Sequence, residues 1–136
     1  MQDRPDLVEL LDSVRHFLET ELVPTVSDAR LRFRARVAAN VLSVAARERA
    51  LEADLLVAER LRLRELLGKG DAAPPPVEKL RSEVEELNKD LAQRIRDDQI
   101  DSSPGTAAWK HLRATVVEKL LIANPAYLKR VGEHGA

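Results

Sequence analysis

From Leu31 to Glu48 the chain reads LRFRARVAANVLSVAARE, a stretch without glycine or proline whose apolar residues recur at helical spacing. At about 100° per residue, Phe33, Val37, Ala38, Val41, Val44 and Ala45 fall within one arc of roughly 140°, the width of a helix face that meets a core. The pattern predicts a central helix with that arc buried and the other helices gathered around it. The adjacent Ala38 and Ala39 would let a neighbour cross closely there. Beside the arc, Arg36, Asn40, Ser43 and Arg47 are spaced four, three and four residues apart and so line one edge. Glu48 falls inside the arc, where a carboxylate needs a partner because burying it alone is costly.

The flanking sequence supplies further helices with recognisable ends. A first helix is predicted to start near Asp3 to Pro5 and to stop before Pro24, with Leu7, Leu10, Leu11, Val14, Phe17, Leu18 and Leu22 as its apolar stripe. Ser27 or Asp28 is placed to cap the central helix. A helix unbroken from Arg30 to Leu67 would be about 57 Å long, against a radius of gyration of roughly 14 Å for a compact chain of this length. A break between Ala50 and Asp54 is therefore expected, followed by a third helix from about Glu52 to Leu67 that Gly68 stops. GKGDAAPPP at 68–76 reads as an exposed loop.

Val77, Leu80, Val84, Leu87, Leu91 and Ile95 then form a narrow seam, which can close a helical hairpin within the chain or meet its own copy in a homodimer. The last long helix is expected to begin at Ser103-Pro104 and to turn Trp109, Leu112, Val116, Leu120 and Ala123 inward. Asn124-Pro125 should end it, Tyr127 and Leu128 should add one more turn, and the tail should fray from Gly132 onward. The fold class expected is all-α, a single-domain bundle of about five helices.

Composition narrows the function classes. The chain's 136 residues are enough for one domain with a real core, and it holds no cysteine, so disulfides and thiol chemistry are excluded and a cytoplasmic setting is expected. No apolar run approaches the roughly 20 residues that span a bilayer, and MQDRPDLVELL does not read as an export signal, so no membrane is expected as a partner. A formal net charge of −1 gives no long-range field for nucleic acid, and the arginines of RLRFRAR and RLRLR spread around their helices. Nucleic acid is not expected as a partner either.

Catalytic motifs are missing from the sequence. Asp12, His16 and Glu19 share a helix face opposite the leucines and read as a solvated surface. Neither His16 nor His111 has a glutamate three residues before it, as a di-iron bundle would need. There is no G-x-S-x-G and no glycine loop leading into a phosphate-binding helix. No local motif points to an enzyme, although catalytic residues can be brought together from distant positions, and no metal or cofactor is expected. Arg36, Asn40, Arg47 and Glu48, with Arg113 from the last helix, form the candidate site: a buried network that fixes helix packing, or a pocket for a phosphate, carboxylate or coenzyme group.

RVAANVLSVAARE at 36–48 and LRATVVEKLLIANPAYL at 112–128 resemble a family of small bacterial all-helical proteins of unknown function. The matching residues are Arg36, Val37, Ala38, Asn40, Arg47, Glu48, Leu112, Arg113, Lys119, Asn124, Pro125 and Tyr127; nothing is carried onto the loop at 68–76. Members tend to be encoded beside kinases of the aminoglycoside-phosphotransferase type and acyl-CoA dehydrogenases. The resemblance implies an accessory or scaffold role with such a kinase or dehydrogenase as protein partner. The alternative is a small-molecule binder holding an anionic, acyl-CoA-like ligand at the arginine stripe.

Overall fold

A computed structural model describes residues 3–134 of the chain. Among them are six α-helices, one π-helical turn and no strand, so the protein is all-α as its sequence predicts. The chain forms two compact units: one runs to Glu52 and includes Ile122–Asn124, and the other comprises Ala53–Leu121 and the chain from Pro125 onward. One helix, α3 (Ala29–Leu66), passes unbroken from the first unit into the second over 38 residues. The break expected between Ala50 and Asp54 does not occur. Ala-Leu-Glu-Ala-Asp offers nothing to stop a helix, and the boundary at Glu52–Ala53 divides packing, not backbone hydrogen bonding.

In the first unit, helix α1 (Leu7–Phe17) starts two residues beyond the predicted segment, with Asp6 and Glu9 forming a reciprocal capping box. It ends at Phe17, before Pro24 as predicted, but the helical path continues past it. A π turn, Leu18–Leu22, leads into the short helix α2 (Val23–Thr25), which contains Pro24. Proline has no N–H to give the Thr20 carbonyl and its ring crowds that group, and a wider turn accommodates both facts. Val23 N–H reaches back five residues to the Leu18 carbonyl. Thr25 Oγ1 donates to the Leu22 carbonyl at 2.9 Å. Asp28 caps α3 as predicted, its Oδ1 accepting from Leu31 N–H at 2.7 Å.

The buried apolar residues of this unit are Val23, Ala35, Ala39 and Ala46. The arc predicted to be buried lies on the opposite side: Phe33 is 66% exposed, Val41 58% and Val37 45%. Ala39 is two residues from Val37, about 200° around the helix. This segment is apolar on two sides, so spacing alone does not choose between them. The inward side carries methyl groups, which leave the backbone approachable, while the bulkier side chains face outward. The stripe of α1 is divided lengthwise in the same way. Leu11, Leu18 and Leu22 are half-buried, whereas Leu7, Leu10, Val14 and Phe17 are exposed.

The second unit buries large side chains. Leu63 of α3 and Leu67 just past its end pack with Val84, Leu87 and Leu91 of helix α4 (Val77–Arg96), and Leu56, Leu66, Ile95 and Ile100 cover the cluster. The seam on α4 is thus closed within the chain. Residues 68–76 form the expected loop, with Gly68 and Gly70 at φ of +64° and +67°, a region side chains rarely adopt. Buried Arg60 donates to the carbonyls of Ala72 (2.9 Å) and Ala73 (3.3 Å) and pairs with Glu83 (2.9 Å). Arg64 donates to the carbonyls of Gly70 (3.0 Å) and Lys69 (2.9 Å). Arg60 and Arg64 of RLRLR therefore stitch the loop to the helix beneath it.

Helix α5 (Ala107–Ala123) starts later than predicted, capped by Thr106, whose Oγ1 accepts from Trp109 N–H at 3.2 Å. It is also turned differently. Leu112 and Val116 are exposed, and the inward side carries Ala108, His111, Thr115 and Glu118. Those four recur at intervals of three, four and three, a helix face in which only one residue is aliphatic. Helix α6 (Pro125–His134) runs through Gly132, where fraying is expected from sequence, and residues 135–136 lie outside the described residues. Among the described residues, no helix is long and apolar enough to cross a membrane.

Candidate functional site

The residues singled out from sequence are placed as follows. Arg36 and Asn40 are exposed on α3, and Arg47 and Glu48 are half-buried further along it. Arg36 and Arg47 are eleven residues apart, about 17 Å along the axis, too far for both to close on one small anion. Arg47 Nε donates to the Ile122 carbonyl at 2.7 Å. That carbonyl belongs to the last turn of α5, which has no partners within its own helix, and a cation there also complements the helix dipole. Arg47 also lines a cleft of about 350 Å³ with Val8, Asp12 and Arg15 of α1. Arg15 is itself held by Asp12 (3.1 Å) and Glu19 (2.7 Å). Arg113 lies in the second unit, its guanidinium 5.5 Å from the centre of the Trp109 ring.

The exposed side of α3 in the first unit has a consistent chemistry. Around its axis Phe33, Val37 and Val41 share a face with Arg30 and Arg34, and Arg36 and Asn40 lie along one edge. Residues 29–47 contain five arginines and no acidic residue. Contiguous apolar side chains left in water, rimmed by groups of one charge, are the mark of a protein-binding surface.

The second unit holds the polar groups that sequence reasoning missed. Among the described residues the buried polar side chains are Glu59, Arg60 and His111. Glu59 Oε1 accepts from Asn88 Nδ2 at 2.8 Å. Arg62 and Glu118 form a two-pronged ion pair at 2.9 and 2.6 Å, which leaves Arg62 Nε without a partner. His111 is 3% exposed, and neither ring nitrogen has a hydrogen-bond partner. An orphaned buried group of this kind costs about 1–3 kcal/mol. Burial holds the imidazole below its usual range, the Arg62 charge adds to that, and Glu59 and Glu118 push the other way.

At neutral pH the ring is therefore uncharged, with one donor and one acceptor. The two acids that act on its charge hydrogen-bond Asn88 and Arg62, and neither hydrogen-bonds the ring. Beside His111 opens a groove of about 600 Å³ lined by Arg62, Glu65 and Leu66 of α3 and by Ala107, Lys110, His111 and Ala114 of α5. The sequence signal for this site was the spacing of Thr115 and Glu118 four and seven residues after His111, whereas the metal motif sought lies before it. Among the described residues, no group of three or more histidines and carboxylates is placed to hold a metal ion.

Comparison with known proteins adds the family and nothing finer. Neither the curated proteins nor the solved structures contain a match to this chain. A family model does match, over residues 24–127, which takes in the exposed face of α3, the arginine stripe and the His111 groove. The chain belongs to the family described as a domain of unknown function, DUF6285.

Proposed function

We propose that the chain is a non-catalytic interaction protein that docks a protein partner on the exposed side of α3 in its first unit. The observation that carries this reading is the outward placement of Phe33, Val37 and Val41 among Arg30 and Arg34. An acidic amphipathic helix of the partner fits that surface, its apolar residues covering the valines and its carboxylates meeting the arginines. Arg36 and Asn40 then border the contact. The resemblance of 36–48 and 112–128 to small bacterial proteins supplies the first partners to try, kinases of the aminoglycoside-phosphotransferase type and acyl-CoA dehydrogenases, in the cytoplasm. The competing reading, an anionic acyl-CoA-like ligand at the arginine stripe, is weakened because Arg47 Nε is committed to the Ile122 carbonyl.

The test is titration of the purified chain with each candidate partner, alongside the double substitution Phe33→Asp, Val37→Asp. The expected result is micromolar or tighter association that the double variant weakens at least tenfold. Both side chains are solvent-facing, so stability should stay within about 0.5 kcal/mol of the parent. Association that survives the double substitution would overturn the surface assigned here. Absence of association, with a dimer in sedimentation that the same substitutions dissociate, would replace the foreign partner by a second copy.

A further inference from the structure

The groove beside His111 is independent of the docking face, since every residue lining it belongs to the second unit. Its walls divide by chemistry. Leu66, Ala107 and Ala114 give an apolar lining on which a hydrocarbon or aromatic body can lie. Lys110 is exposed and forms no ion pair among the described residues, and Arg62 Nε has a hydrogen to donate beyond the pair with Glu118. His111 forms part of the wall while more than nine-tenths buried, with both nitrogens unsatisfied. Native proteins rarely leave such a ring without a partner, and a group supplied by a bound molecule is one of the few explanations open to it.

A groove between two helices with an apolar lining and a few convergent polar groups is a typical setting for a small ligand. We propose that it binds a small amphipathic carboxylate, with the apolar body along Leu66, Ala107 and Ala114 and the acid group toward Lys110, Arg62 and the imidazole. The cations choose the charge of the ligand. Glu65, on the same wall, restrains it to a single acid group, because a second negative charge would lie near its carboxylate. Ala107 and Ala114 set the width: each is small, and any larger side chain there would occupy the space the ligand body needs.

The experiment uses the whole chain with decanoate and, as the uncharged counterpart of equal length, decanol, followed by nuclear magnetic resonance of the histidine rings and by calorimetry. Decanoate should saturate, shift the His111 ring signals while leaving those of His16 in place, and bind at least tenfold more tightly than decanol. Lys110→Gln, an exposed change, should remove most of that preference. Ala114→Leu should abolish binding of both probes while the melting transition is retained. Equal binding of acid and alcohol would overturn the carboxylate assignment, and binding that persists in Ala114→Leu, or no saturable binding at all, would overturn the site.

Discussion

The two units are made of similar residues and use them in opposite ways. In the second, leucines from α3 and α4 interlock, and Leu63, Leu80 and Leu91 are almost fully withdrawn from water. In the first, what is withdrawn is mostly alanine, while a phenylalanine and two valines on the same helix stay wet. Full burial of a leucine is worth about 1.5–3 kcal/mol, and alanine has far less area to contribute. The second unit is built for its own stability. The first leaves the larger apolar groups of α3 in water, and the difference shows that composition fixes how much apolar surface a helix has but not which side of it is covered.

Three measurements can break or sharpen this contrast. The largest effect should come from Leu63→Ala, which opens a cavity in the leucine cluster and should cost about 2–5 kcal/mol in chemical denaturation. A loss below 1 kcal/mol would mean that the cluster is not the stabilising core. Next, Ala39→Leu places a bulky side chain on the close-packed side of the first unit and should cost about 1–3 kcal/mol through overpacking. A gain in stability would show that this side is loosely packed and that the contrast is overstated.

The smallest effect concerns pH. Because His111 is held below its ordinary range when folded, the unfolded chain takes up its proton first as pH falls. Stability is therefore full above the unfolded histidine range and declines as pH drops below about 6.5, by no more than about 1.4 kcal/mol per pH unit for one proton. His111→Gln should flatten that slope. An unchanged slope in the variant would assign the acid sensitivity to other groups.

What was legible in the sequence follows from how unambiguous each local signal was. The glycine stop at Gly68 and the loop at 68–76 were readable because each has one chemical solution, and the cap of α3 was narrowed to Ser27 or Asp28, whereas the cap at Asp6 lies one residue past the start read from the sequence. The seam of α4 was readable because charged residues occupy all its other sides. The facing of α3 and α5 was not, since both are apolar on more than one side and the larger side chains drew the prediction outward. Arg47 belongs to a stripe visible in the sequence, but its acceptor is a backbone carbonyl 75 residues away, which no side-chain pattern reports. His111 was weighed only as a metal ligand, and its burial was not read because its neighbours on the buried face are an alanine, a threonine and a glutamate.

The loop at 68–76 has the glycines, the lysine and the exposure of a favoured cleavage site for proteases. A protease, however, must draw several residues into an extended strand across its active cleft. Here the carbonyls of Lys69, Gly70, Ala72 and Ala73 are all held by Arg60 and Arg64, and the Lys69 ammonium is paired with Asp90 at 2.8 Å. Cutting after Lys69 requires these anchors to let go together, so the segment that looks most vulnerable is shielded by two arginines on the helix beneath it.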